Sequence, residues 1–217
     1  MNEHYEPRLP GEPMKELIEK IESHEIEFST LNALEMFGRD GTHHTLAYAN
    51  KVKTLEIWEI DPQFEEALHN NLPNANVKIV NSIKTLKDGT NLSTYDFIVI
   101  DCTMATYGPV INGEFEYCEH FDFIKEIHKI SNDNVIIVIN VNESPYNYEQ
   151  NPLWRKRRIE FYGDRDTTNI DLEFFIKFYE KLFLEIGFKV IFQENVIRAK
   201  VNGKAMLHYI AYKLKRI

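Results

Sequence analysis

Four apolar runs in the first half of the chain end on polar or acidic residues. Glu35 follows LNAL, Glu59 follows TLEIW, Asn81 and Ser82 follow NVKIV, and Asp101 follows YDFIVI. Between the first two, FGRDG carries Gly38 and Gly41. If the runs are parallel strands, their carboxyl ends share one edge of a sheet, and ligands of open parallel sheets settle beyond that edge. Each residue type then has a use there. The glycines let the backbone turn tightly, and a helix beginning near Thr42 would aim its amide N–H groups at a ligand. Glu59, eighteen residues after Gly41, offers an ionised carboxylate that can accept from both hydroxyls of a ribose. Asn81 and Ser82 suit an adenine edge. The stretch reads as the holder of a nucleoside cofactor.

The elements that must position these residues follow from hydrophobic period and turn chemistry. MKELIEKIESHEI places Met14, Leu17, Ile18 and Ile21 at helical spacing, giving an amphipathic helix up to about His24 at the edge of the domain. After it, STLNALEMF reads as a strand, THHTLAYANKV as a helix, KTLEIWEI as a strand and PQFEEALHNNL as a helix with Pro62 in its first turn. NVKIVNS and YDFIVID are the third and fourth strands, with a short helix or turn near Ile83 to Leu86 between them. A loop from Cys102 to Glu116, a helix from Tyr117 to Ser131 and the strand NVIIVINVN come next. Strands apolar on both faces, alternating with helices, indicate a parallel sheet covered on both sides. Residues 143–169 form a polar, aromatic and basic insert, too long for an ordinary connection and read as a lid or ordered insertion. The apolar helix DLEFFIKFYEKLFLEIG stops at Gly187, and FKVIFQENVIR and AMLHYIAYKLK form a hairpin through Asn202 and Gly203. The expected organisation is an N-terminal helical lead over 1–29 and one domain over 30–217.

The order of LEMFGRDG, WEIDP, KIVNS and YDFIVID, then a helix, a fifth strand and a terminal hairpin, resembles the class I S-adenosylmethionine-dependent methyltransferases from about Leu31 to Ile217. The resemblance implies a Rossmann-like three-layer α/β sandwich whose mostly parallel seven-stranded sheet ends in an antiparallel hairpin. It implies S-adenosylmethionine as cofactor. Glu35, Phe37, Gly38 and Gly41 would surround its methionine end, Glu59 would bind ribose, Ile60 would cover adenine and Ser82 would approach the adenine rim. Asp101 would sit where acceptor and sulfonium meet. Arg39 stands where the family turn usually has its middle glycine. Either Arg39 points outward and Gly38 supplies the backbone freedom, or the site is altered.

Methyl transfer from a sulfonium is a direct displacement, so few residues are diagnostic. An oxygen nucleophile would want a base. Asp101 is the first candidate for that base or for a substrate anchor, against a plain helix-capping role. His43, with His44 beside it, is a second catalytic candidate, against an ordinary helix-start side chain. Asp101, Asn140 and Asn142 lie at strand ends where oxygen ligands could hold magnesium, but two asparagines bring no charge, so no metal is expected. Trp154-Arg155-Lys156-Arg157-Arg158, with Arg165 nearby, could clamp an anionic acceptor through Arg155 and Arg158; the plainer reading is a solvated, salt-bridged face. Tyr107, in the loop after the fourth strand, is a further substrate-binding candidate. Asn151-Pro152-Leu153-Trp154 superficially matches the NPPY-type motif of amino-methylating DNA enzymes, but it follows the fifth strand instead of the fourth. Phe174, Phe175, Phe178, Tyr179 and Phe183 at helical spacing are core.

With 217 residues the chain suits one domain of sizeable core, and 34 acidic against 25 basic residues give a formal charge of -9. A broad basic footprint for duplex nucleic acid is missing, which makes nucleic acid the weakest partner reading. Two cysteines, Cys102 and Cys118, match neither a disulfide framework nor a zinc site and fit a reducing cytoplasm. No signal peptide or membrane span is expected, and the Asn, Ile, Lys and Phe usage gives a bacterial impression. The expected function is methyl transfer to an oxygen of a small-molecule or glycan-type acceptor, with an anionic acceptor and a homodimer both admitted. The alternatives are aminopropyl transfer on the same fold, which needs an acidic pocket, and a degenerate domain that acts as an interaction module.

Overall fold

The computed structural model describes residues 5–90, 92–143, 151–163 and 170–217. In chain order, β1 (Tyr5–Pro7) and α1 (Glu12–Glu22) precede β2 (Asn32–Glu35), β3 (Thr54–Glu59), α2 (Glu65–Asn71), β4 (Asn76–Ile79), α3 (Ser82–Asp88) and β5 (Tyr95–Ile100). A hairpin of β6 (Thr106–Ile111) and β7 (Glu114–Cys118) leads to β8 (Ser131–Asn142). Then come α4 (Pro152–Tyr162), α5 (Leu172–Glu185), β9 (Phe188–Val201) and β10 (Lys204–Arg216). The main sheet has eight strands in the order β1-β9-β10-β8-β5-β2-β3-β4. From β4 through β8 the pairs are parallel; β10 runs antiparallel to both β8 and β9. The mostly parallel sheet with a reversed final hairpin is therefore present, with one strand more than the seven expected.

That extra strand is β1, which pairs antiparallel with β9 through Tyr5↔Val201 and Pro7↔Ala199. Behind it, α1 turns Met14, Leu17, Ile18 and Ile21 wholly inward, against strand residues such as Ala33, Phe97, Val99 and Tyr209. Residues 5–22 thus add a strand and a core helix to the same body, whereas the helical pattern alone placed α1 at an edge. The sheet's other face packs Leu34, Ile98, Ile137 and Ile210 against Ile127, Phe175, Tyr179 and Phe183. Consecutive residues of β5 go to opposite faces, Phe97 and Val99 to one and Ile98 and Ile100 to the other, as the two-residue period of a strand requires. Among the described residues no helix is long and apolar enough to cross a membrane.

Three expected elements are absent in the form expected. THHTLAYANKV makes no α-helix, only a 3-10 turn at Thr45–Ala47 within a run of turns, and from it His44 and Tyr48 both reach the Glu35 carboxylate. The loop from Cys102 is instead the β6–β7 hairpin, reversed at Asn112-Gly113 with φ of 54° and 86°. That Asn-Gly pair carries the same left-handed signal as Asn202-Gly203 (51° and 75°) at the β9–β10 turn, and it was legible. Finally, the helix placed at Tyr117 to Ser131 is the end of β7, turns, and a 3-10 segment at Ile124–Ile130.

Because Leu17 has no exposure and Lys15 on the same helix is exposed, Leu17→Ala is expected to lower the unfolding free energy by about 2–5 kcal/mol. Lys15→Ala should change it by under about 0.5 kcal/mol. Urea unfolding of the two variants checks this; equal effects would mean that α1 is no part of the cooperative core.

Candidate active site

Beyond the carboxyl ends of β2, β3, β4 and β5 lies a cavity of about 480 Å³, within the size range of small-molecule sites. Glu59, Ile60, Ser82 and Asp101 come to its wall from the strand ends, Gly38 and Arg39 from the turn after β2, and Tyr107 from the β6–β7 hairpin. So the strand-end residues singled out by type and order converge on one space, save Glu35, which lies behind it.

Glu35 has no exposure. Its Oε2 accepts from His44 Nε2 at 2.7 Å and Tyr48 OH at 2.5 Å, and its Oε1 from the Phe37 N–H at 3.3 Å. It therefore braces the turn instead of touching a ligand. His44 reaches on, its Nδ1 lying 2.9 Å from Asp101 Oδ2, an ion-pair distance without the alignment of a hydrogen bond. Burial disfavours its charge, yet the Glu35 and Asp101 carboxylates on either side raise its pKa to about 10. Asp101 in turn accepts from Arg198 Nη1 and Asn140 Nδ2, each at 2.6 Å on Oδ1, and from Tyr209 OH at 2.8 Å on Oδ2. Burial would raise its pKa, but Arg198 and His44 outweigh burial and hold it well below the usual carboxylate range. A carboxylate so saturated is a poor proton acceptor. The role of general base suggested for Asp101 is thereby corrected: it is an anchor that joins β5 to β9 and β10.

The turn after β2 also differs from expectation. It is Arg39, at φ 48°, that takes the left-handed conformation, while Gly38 does not. The Arg39 N–H donates to Glu59 Oε2 at 2.6 Å, which holds the turn, and its side chain is exposed at the cavity rim without filling it. Glycine is needed at 38 and 41 for packing: a Cβ on Gly38 would fall 2.2 Å from Ile57 Cγ2, and one on Gly41 2.6 Å from Leu72 Cδ1. Glu59 spends its second oxygen on the Asp61 N–H at 2.8 Å. Each carboxylate oxygen carries two lone pairs, so one on each remains for a ligand. Ile60 is 52% exposed beside it, an apolar side chain left open on the cavity wall. Ser82 donates its hydroxyl to Met36 O at 2.9 Å, and Phe37 packs its ring against Tyr107 and Phe123. This donor set fits a ribose diol beside a flat apolar base, as the fold's usual cofactor requires.

The basic run does not reach this cavity. Arg158 has no exposure and donates to Glu119 Oε1 at 2.9 Å and to Asn142 O at 3.0 Å. Arg157 pairs with Asp122 at 2.6 Å, and Lys156 lies 3.9 Å from Glu160. Arg155 is exposed on α4, away from the cavity, and Arg165 lies outside the described residues. The anion clamp suggested for Arg155 and Arg158 is thereby corrected, since neither lines the cavity. Asn151-Pro152 serves the helix that follows it, for Asn151 caps α4 by accepting from the Trp154 N–H, and Pro152 opens the helix. Tyr107 lines the cavity with its hydroxyl tied to Glu119 O at 2.8 Å, and His43 is exposed on the rim. Sequence reasoning missed Arg198 and Tyr209 entirely and gave Asn140 another role. The one available signal was that a buried Asp101 must find partners, which does not say where they are.

The strand order and the reversed hairpin are those of the class I S-adenosylmethionine-dependent methyltransferase fold. Solved structures similar to this chain agree. TYW2 of M. jannaschii, in complex with AdoMet, is 14% identical with a TM-score of 0.55, over 94% of this chain and 77% of that one. The N-methyltransferase NodS of Bradyrhizobium japonicum is 10% identical with a TM-score of 0.53, over 93% and 97%. Trm5b of Pyrococcus abyssi is 13% identical with a TM-score of 0.57, over 93% of this chain and 49% of its own length. No protein-family model and no curated protein matches the sequence.

A folded-state pKa raised above the unfolded value stabilises the fold fully below the unfolded pKa and progressively less above it. His44, raised from 6.5 to about 10, should therefore lose its contribution as pH rises across that window, with a slope of at most about 1.4 kcal/mol per pH unit. Denaturation curves from pH 6 to 10 should show this loss, and His44→Gln should flatten it while destabilising the protein at pH 7 by about 3–5 kcal/mol. An unchanged slope in the variant would assign the pH dependence elsewhere.

Proposed function

We propose that the chain is an S-adenosylmethionine-dependent methyltransferase that transfers the methyl group to an oxygen of a small acceptor. The observation that carries the reading is Glu59 at the end of β3, with one lone pair on each oxygen left over and the half-exposed Ile60 next to it on the cavity wall. Bound there, the cofactor would supply an electrophilic methyl group on a sulfonium. The chain's own part would be to hold ribose through Glu59, to cover adenine with Ile60 and to offer the Ser82 oxygen, an acceptor once its proton is given to Met36 O, to the base. Displacement then needs alignment and exclusion of water.

A proton must leave a hydroxyl acceptor. Asp101 is saturated and His44 is charged, so His43 is the remaining candidate. It lies on the cavity wall, and its ring makes no hydrogen bond or ion pair among the described residues. A small acceptor is favoured because the basic run, the sequence feature behind a nucleic-acid reading, has Arg157 and Arg158 occupied by internal carboxylates. Aminopropyl transfer to a polyamine has less support, since Asp101 is neutralised by Arg198 and His44. The degenerate-module reading rested on Arg39, which leaves the cleft open.

Calorimetric titration with S-adenosylmethionine and S-adenosylhomocysteine tests the reading. The intact protein is expected to bind both, and Glu59→Ala to weaken binding at least about tenfold, a loss of about 1.4 kcal/mol or more. Absence of binding by the intact protein at millimolar ligand would sink the proposal in favour of the interaction module.

A further inference from the structure

A second cavity, of about 150 Å³, lies between the N-terminal lead and the Asp101 anchor. His43, His44 and Arg198 line both cavities, so a molecule seated in one is within one side chain's reach of the other. The smaller cavity's walls carry two arginines, Arg8 and Arg198, with His43, His44 and the hydroxyl-bearing Tyr5 and Tyr209; no carboxylate lines it among the described residues.

Among the described residues both guanidinium groups have capacity left. Arg198 uses Nη1 on Asp101, and its other two nitrogens make no hydrogen bond among the described residues. Arg8, which stands between this cavity and a neighbouring surface pocket, uses Nη1 on Glu16 Oε2 at 2.6 Å and on Ile197 O at 3.2 Å, both on the wall of that neighbouring pocket. Their counter-charges, Glu16 and Asp101, stand outside the lining. The amino end of α1, where Gly11 provides no side-chain cap, lies on the same wall and adds a favourable potential for an anion. The volume admits one carboxylate or phosphate group and little else.

We propose that this side cavity is the anchor for a carboxylate or phosphate group of the acceptor, gripped by Arg198 and Arg8 while the acceptor's nucleophile enters the larger cavity past His43. The inference rests on the methyl-transfer reading above and moves the anion clamp from α4, where the sequence placed it, to β9 and the N-terminal lead. It makes Arg198 and Arg8 specificity-determining residues, and it gives the segment Tyr5–Pro13 a function as one wall of the acceptor site. The other carboxylate that could use the same guanidinium is that of the cofactor's own methionine end.

The test titrates the full chain with inorganic phosphate and, separately, with acetate, each at constant ionic strength against chloride, with and without saturating S-adenosylhomocysteine. The thermal midpoint is followed, and binding is measured by calorimetry. The expected result is stabilisation by either anion beyond the chloride control, undiminished by S-adenosylhomocysteine. It should weaken at least fivefold in Arg198→Met and in Arg8→Met, with the S-adenosylhomocysteine affinity of Arg8→Met changed by less than twofold. Arg198→Met strips a partner from Asp101 and could fail to fold; Arg8→Met, at a partly exposed pair, and the titration of the unmodified protein stand without it. Competition between the anions and S-adenosylhomocysteine would overturn the proposal by giving the cavity to the cofactor's carboxylate. No anion effect in a protein that does bind S-adenosylhomocysteine would overturn it while leaving the methyltransferase reading intact. Anion binding by a protein that does not bind S-adenosylhomocysteine would sink both the methyl-transfer reading and the acceptor assignment.

Discussion

Glu35 at the end of β2 and Asp101 just past β5 are carboxylates removed from water, and the imidazolium of His44 sits between them at 2.7 and 2.9 Å. Leaving either carboxylate unpaired in the interior would cost several kcal/mol, so the chain around them has little freedom. For His44 to reach both, residues 42–48 must fold back as turns under the strand ends. Tyr48 then completes Glu35, while Arg198 from β9 and Tyr209 from β10 complete Asp101. One chain of charges thus ties the parallel half of the sheet to its antiparallel end.

This arrangement decides what the cleft can do. With Asp101 and His44 locked in their charged forms, neither can exchange a proton with a ligand near neutral pH, and the floor of the cavity is a fixed pattern of dipoles and charges. Such preorganisation is useful to a displacement reaction, which needs the nucleophile and the methyl group aligned and little reorganisation around them. Glu59 is the exception in the pattern. Its two backbone donors orient it without exhausting it, so it is fixed in place and still able to accept. Arg39 shows the balance in detail: a non-glycine residue in the left-handed region is strained by roughly 1–2 kcal/mol, and its N–H bond to Glu59 offsets part of that.

Strand ends were legible because the strands are. Runs such as YDFIVI and NVIIVINVN are too apolar to be anything but buried, and the polar residue that closes each marks the sheet edge where a ligand settles. Glu59, Ile60, Ser82 and Asp101, which close such runs, line one cavity. What local patterns could not supply was partnership across the sequence. Arg158 looked available because its partner Glu119 is 39 residues away; Asp101 looked like a base because Arg198 and Tyr209 are 97 and 108 residues away. The failed helix after the glycine turn has the same origin. Its residues carry helical spacing, but the propensity is weak, and His44 lies between two carboxylates, Glu35 and Asp101, that are 66 residues apart in sequence. The β6–β7 hairpin is a different case, since Asn112-Gly113 announced it locally.

The two halves of the site therefore differ in kind. The cofactor half is built from consecutive parallel strands, whose carboxyl ends must converge whatever the rest of the chain does, so residue type and order suffice to find it. The acceptor half as we propose it lies where the N-terminal lead meets the last two strands, and there a cation's role depends on which cavity and which carboxylates it faces in the folded chain. Arg157 and Arg158 fall beside Asp122 and Glu119 and line neither cavity. Among the described residues Arg8 and Arg198 also meet Glu16 and Asp101 through one nitrogen each, but they line a cavity. An arginine's value to a ligand is thus set by geometry after folding, not by its density in the sequence, and the sparser pair is the one left facing a cavity.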